Sequence, residues 1–131
     1  MPSRLTGFVE TLGIDEQAVE PGVVRCSLAL TDAHRNIQGV VHGSVVFALL
    51  DTAMGHALSG ILAEGEFCST TELSIQFLKA AWPGDRVAAV GRVTQRGNRI
   101  AYLEGLATNQ KGETVARAHG TWYVGRVKAS A

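Results

Sequence analysis

Residues 45–62 offer a helical segment with no polar face. Val45, Val46, Phe47, Ala48, Leu49, Leu50, Ala53, Met54, Ala57, Leu58, Ile61 and Leu62 cover nearly its whole circumference at 3.6 residues per turn. A helix apolar on every side asks to be buried on every side, so the rest of this 131-residue chain has to wrap it. A membrane span is the poorer reading. Asp51, Thr52, Gly55, His56 and Gly60 interrupt the run, and ionisable groups are costly in lipid.

The wrapper is legible as strands. Residues 14–20 and 23–30 form a pair broken by Pro21-Gly22, and in the second run Val24, Cys26, Leu28 and Leu30 alternate with more polar neighbours. After the helix, four further strands are expected at 68–78, 86–95, 99–109 and 114–124. Trp82-Pro83-Gly84-Asp85, Arg96-Gly97-Asn98 and Gln110-Lys111-Gly112 separate them with turn chemistry. Short loops between successive strands favour an antiparallel meander. The fold class is α+β: an antiparallel sheet of about six strands around one long helix, in a single domain spanning 1–131.

Composition narrows the function. Lys plus Arg and Asp plus Glu are 12 each, so there is no basic excess to suggest a nucleic-acid partner. Cys26 and Cys68 lie 42 positions apart, with no paired spacing for zinc or redox work, and fit a reducing cytoplasm. The amino terminus lacks the apolar stretch of a signal peptide. The four histidines, His34, His42, His56 and His119, show no metal-ligand spacing; neither metal nor organic cofactor is expected.

Asp51 is the residue most in need of an explanation. It sits mid-helix between Leu50 and Thr52, where an ionised carboxylate is costly to bury unpartnered. It is either a structural group bonded across a subunit interface or a catalytic one. Gly43 begins the same helix, where backbone N–H groups lack internal acceptors and the dipole favours negative charge. Its missing side chain is either a tight helix entry or room for a substrate carbonyl, whose oxyanion that N–H would stabilise. The two residues are eight apart, about 12 Å along a helix, whereas both need to lie within about 3–3.5 Å of one reacting centre. If both act, they come from different chains, and a two-fold dimer with two equivalent sites follows.

The run Asn36-Ile37-Gln38-Gly39-Val40-Val41-His42-Gly43-Ser44, followed by Asp51, resembles the N-x-x-G-x-x-H-G-G…D signature of hotdog-fold acyl-CoA thioesterases. It is most similar to the PaaI-type, phenylacetate-degradation and THEM-like branch, and residues 69–78 resemble that branch's strand after the helix. The resemblance covers roughly residues 23–124. It implies the hotdog fold and an acyl-CoA substrate, with Asp51 as nucleophile or general base. By the same likeness the Gly43 N–H binds the thioester oxygen, Asn36 orients the water or nucleophile, and His42 stands near the thioester. Thr70 helps hold the water, with Ser69 and Thr71 as adjacent hydroxyls. The second motif glycine is Ser44 here. An aryl or arylacetyl acyl group is implied, as is a homodimer assembling into a homotetramer.

Lys79, Arg92, Arg96 and Arg99 fall near strand ends, either as a solvated rim or, for Lys79, Arg96 and Arg99, as contacts to the phosphates of CoA. Phe47 and Phe77 are either core or lining for the acyl group. Two other functions compete: a non-catalytic acyl-CoA-binding module, and a hotdog enoyl-CoA hydratase, which also carries Asp and His five residues apart. On a helix five residues turn about 140°, so Asp51 and His56 are expected to face different ways, which argues against the hydratase.

Overall fold

The structure is a computed structural model and describes residues 7–127; the segment read for a leader peptide lies largely outside them. A short helix α1 (Phe8–Leu12) leads into strands β1 (Asp15–Glu20) and β2 (Val23–Ala29). One turn of 3-10 helix (Asp32–His34) precedes the long helix α2 (Gly43–Ser59). Strands β3 (Glu66–Phe77), β4 (Arg86–Arg96), β5 (Ile100–Thr108) and β6 (Thr114–Arg126) follow. Six expected strands are found, and α2 is a turn shorter than the apolar pattern, ending at the Gly60 cap. The α1 helix and the 3-10 turn were not expected.

All pairings in the sheet are antiparallel, in the order β1-β2-β4-β5-β6-β3. The meander therefore holds only for β4-β5-β6. Strand β3 pairs with β6 rather than β4, and residues 78–85 cross the end of the molecule instead of forming a hairpin. Their backbone is occupied on the way: Val41 N–H donates to the Ala81 carbonyl, and Gly84 N–H to that of Leu30. This crossover leaves β3, twelve residues long, as a sheet edge.

The sheet curls round α2. Val45, Val46, Leu49, Leu50, Ala53, Met54, Ala57 and Leu58 face it and are buried among Cys26, Leu28, Val87, Leu103, Val115 and Trp122. Contact is close because the strands carry glycine beneath the helix. A Cβ built on Gly91 would stand 2.5 Å from the Ala53 carbonyl and the Met54 nitrogen, and one on Gly105 2.8 Å from the Met54 sulfur. These two glycines are cross-strand partners on β4 and β5.

Burial on every side is not what α2 shows. Ser44, Phe47, Ala48, Asp51, Thr52, Gly55, His56 and Ser59 form a stripe at helical spacing that is partly or fully exposed; Phe47 is 41% accessible. One six-stranded sheet covers one half of a helix. The apolar remainder of the other half is surface that a single chain leaves unpartnered.

Candidate active site

The two ends of α2 are prepared differently. At its start His42 is the N-cap: its Nδ1 accepts from the Ser44 N–H at 3.1 Å and lies 2.7 Å from Ser44 Oγ. The Val45 N–H goes to the His42 carbonyl. The Gly43 N–H has no acceptor among the described residues and points out of the helix's positive end. Ser44, which replaces the second motif glycine, thus strengthens the cap. Ahead of it, Asn36 Oδ1 accepts from Gln38 N–H at 2.8 Å in an Asx turn, and its side-chain amide N–H groups remain without a protein partner among the described residues.

Asp51 sits two turns further on, on the open stripe. Its Oδ1 accepts from Thr70 Oγ1 at 2.9 Å. Of the three adjacent hydroxyls, Thr70 is the one that reaches the acid. Thr71 donates instead to the Thr121 carbonyl, across a β-bulge between Thr70 and Glu72. A bulge inserts one residue and re-aims its neighbours, which is how the adjacent hydroxyls of Thr70 and Thr71 come to have different targets.

Asp51 and Gly43 line separate cavities of the single chain. One, of about 300 Å³, is formed by Gly43, Val46, Phe77, Lys79, Ala81 and Val115, with the Phe77 ring 3.4 Å from where a Gly43 Cβ would sit. The other, of about 340 Å³, runs along α2 from Asp51 through Thr52 and Gly55 to His56 and Ser59, walled by Cys68, Thr70 and Trp122. Asp51 and His56 leave the helix about 140° apart, as five residues require, yet both line this open groove. The intervening Thr52 and Gly55 bridge the 140° between them, and the whole stripe is open.

The Cys68 thiol lines the same cavity but donates to the Gly55 carbonyl, and burial pushes its pKa up. Cys26, wholly buried, is pushed up to about 12 by burial and by the charge of Glu16. Neither thiol is shifted toward the thiolate form that a cysteine nucleophile uses.

Comparison with known proteins bears on this geometry. The family model for the thioesterase superfamily matches residues 38–116, more than half of the chain and inclusive of Gly43, Asp51 and Thr70. The chain belongs to the thioesterase superfamily. Its class of chemistry is thioester hydrolysis. The acyl-coenzyme A thioesterase PaaI of Escherichia coli is 28% identical over 113 residues, 85% of this chain and 77% of PaaI. The solved structure of PaaI superposes with a TM-score of 0.82 at 26% identity, covering 92% and 84% of the two chains. A conserved protein of Pseudomonas aeruginosa, PA5202, is 30% identical with a TM-score of 0.86 over 94% and 99%. The chain spans 66% of the length of an Archaeoglobus fulgidus relative, 28% identical over 80% of this chain. The likeness confirms the hotdog architecture.

Within this thioesterase fold, the basic residues expected near CoA are unequally available. Arg96 holds Glu66 with two bonds of 2.9 Å and also donates to the Gly97 and Asn98 carbonyls. Glu66, whose side chain is only 3% exposed, is kept below the usual carboxylate range by the Ala63 N–H and then by Arg96. Arg96 is thus a clamp joining the β4–β5 turn to the start of β3. Lys79 pairs with Glu113 at 2.6 Å on the surface. Arg99 has no side-chain partner among the described residues. Phe47 lies one turn before Asp51 on the open stripe, and Phe77 is exposed beside Gly43, so neither is core. Among the described residues no helix is long and apolar enough to cross a membrane, and no cluster of three metal-binding side chains occurs.

Glu16, on β1, holds a residue of this cavity and is one that the sequence reading missed. Its carboxylate lies 2.9 Å from His56 Nδ1. A single acid in a polar, exposed strand gives no periodic signal by which to find it.

Proposed function

We propose that the protein hydrolyses an acyl-CoA, of aryl or arylacetyl type, to the free acid and CoA. The observation that carries this reading is a carboxylate held by a hydroxyl, Asp51 by Thr70, on the same helix as an uncommitted N–H at Gly43. The partner chain's helix start polarises the thioester carbonyl. Asp51 then either attacks that carbon, expelling the thiolate and leaving an anhydride for water to open, or removes a proton from a water that attacks directly. Either way the C–S bond breaks and the thiolate is protonated.

Assembly of the site from two chains is supported by the place of β3. This edge strand carries both Thr70 and Phe77, the residues touching Asp51 and Gly43. Two β3 strands paired antiparallel about a point midway between these positions would set each chain's Gly43 beside its partner's Asp51. The half-open stripe of α2 would be covered at the same time. From such dimers we propose a tetramer. Asn36, with its free amide, is placed at the water or nucleophile, and His42 acts through the cap it forms beside the thioester. Phe47 and Phe77 shape the acyl channel, and Arg99 contacts CoA, since its side chain has no partner among the described residues whereas Lys79 and Arg96 are already paired. Two free thiols fit a reducing cytoplasm.

Thiol release from a panel of CoA esters tests the activity. Asp51→Asn keeps the hydrogen bond from Thr70 and the shape of the cavity, and is expected to lower kcat by about 10³-fold or more, with the oligomer intact on gel filtration. Saturable binding of the esters by the wild type, with no turnover of any, would leave a binding module instead. Thr70→Val removes only the hydroxyl on Asp51. Hydrogen bonds to charged groups are worth about 1.5–3 kcal/mol, so kcat is expected to fall by about 10- to 100-fold.

A further inference from the structure

A cavity of about 480 Å³, larger than either of those at Gly43 and Asp51, lies on the face of the sheet turned away from α2. Its walls follow from strand register. On β5, Leu103 and Ala107 are buried towards the helix, and Glu104 and Leu106 alternate with them on the outer side. Glu104 stands opposite His119 of β6, which stands opposite Ser74 of β3. Two residues along, Leu106 stands between Val90 of β4 and Arg117 of β6. Opposed residues share a face, so one row is acid, imidazole and hydroxyl, and the next is two aliphatic groups and a guanidinium. The charges in these rows are open. Arg117 Nε donates to Gln76 Oε1 at 2.6 Å, a neutral partner that leaves the two terminal nitrogens without an acceptor among the described residues. Glu104 has no partner among them either, although Arg117 is its diagonal neighbour. Arg92, which faces Glu104 from β4, turns instead to Glu20 at 3.6 Å.

We propose that this outer cavity is a binding site for a free α-amino acid with an apolar side chain. Arg117 takes the carboxylate through two parallel hydrogen bonds. The ammonium has three protons to donate, and Glu104, His119 and Ser74 offer it a carboxylate, a ring nitrogen and a hydroxyl. The side chain lies over Val90 and Leu106; Leu106 is 46% exposed, and covering it removes apolar surface from water. Spacing agrees with charge. One carbon joins ammonium to carboxylate, and the two rows are two residues of strand apart, about 6.8 Å. A simple carboxylic acid would leave Glu104 unanswered, and an amine would leave Arg117 so. The inference does not rest on the hydrolase reading, because the sheet stands between this face and Asp51.

Titration of the protein with L-leucine and with L-phenylalanine, followed by amide chemical shifts, tests the site. At least one is expected to saturate with a Kd of about 1 mM or tighter, moving the signals of residues 104–106 and 117–119. For leucine, 4-methylpentanoate lacks only the ammonium and 3-methylbutylamine only the carboxylate; 3-phenylpropanoate and 2-phenylethylamine serve for phenylalanine. Each analogue should bind about tenfold more weakly or worse, since it leaves one charge of the site unpaired. Arg117→Gln should weaken the amino acid by a similar factor and leave the amine analogue unchanged. Glu104→Gln should weaken it likewise and leave the acid analogue unchanged. A merely structural role for either residue would weaken all three ligands together. The proposal is overturned if neither amino acid saturates by about 20 mM. Analogues that bind as tightly as the parent also overturn it, as does binding that survives both substitutions. The analogue series on the wild type decides even where a variant fails to fold.

Discussion

Two inactive variants, Gly43→Pro and Asp51→Asn, are expected to regain about a quarter of wild-type activity when refolded together. Proline is suited to the first position of a helix, where the N–H has no intrahelical acceptor anyway. His42, the residue before it, already has φ −62 and ψ 133, the extended conformation that a following proline demands. The added Cβ would meet the Phe77 ring at 3.4 Å, ordinary contact. The variant should therefore fold as the wild type does and lack only the proposed oxyanion donor, for a loss of about 10²- to 10³-fold in kcat.

Random pairing makes half of the dimers mixed. In each mixed dimer one site combines the intact Asp51 of one chain with the intact Gly43 of the other, and the second site has neither. If both groups served the same chain's site, every site in the mixture would contain one defect. Activity of the mixture no greater than the sum of its two parts would therefore remove the two-chain site. Tags of different kinds on the two variants allow the mixed dimer to be isolated and its turnover measured directly.

The second large effect is on stability. Gly91→Ala is expected to lower the melting temperature by about 10 °C, at fixed protein concentration. The new Cβ would lie 2.5 Å from the Ala53 carbonyl carbon and oxygen and the Met54 nitrogen, all backbone atoms of α2. No rotamer change relieves that overlap; the helix has to lift from the sheet. Overpacking of a core costs about 1–3 kcal/mol, and a rigid backbone on both sides places this case at the upper end or above. For a domain of this size about 3 kcal/mol corresponds to roughly 10 °C. Gly105→Ala supplies the internal control. Its Cβ would meet the flexible Met54 thioether at 2.8 Å and the tip of Leu50, which can yield, so its melting temperature should fall distinctly less. Equal melting temperatures for Gly91→Ala and the wild type would mean that α2 does not rest on β4 in this way.

Much of this arrangement was readable beforehand because its signals are local. Alternation over residues 23–30 and the turn residues at 21–22, 96–98 and 110–112 located strands. Gly43 ahead of the apolar run located the helix start, and a lone Asp in that run marked the acid. What escaped the reading depends on partners distant in sequence. Strand β3 pairs with β6 rather than β4, although only residues 78–85 separate it from β4. That choice is made by how the sheet closes over the helix, and no turn motif records it. The identity of the hydroxyl on Asp51 was decided by a bulge at Thr71, and the engagement of Arg96 by Glu66, thirty residues away.

The sequence alone determined that one long, mostly apolar helix is wrapped by a sheet and bears one acid eight residues past the glycine that begins it. Period and composition suffice for that, since both are properties of a segment and the water it avoids. Only the tertiary structure decided that half of this helix stays open, that Asp51 and His56 share a cavity, and that Glu16 orients the imidazole. These facts follow from the area one curled sheet can cover and from which side chains its closure brings within hydrogen-bonding distance.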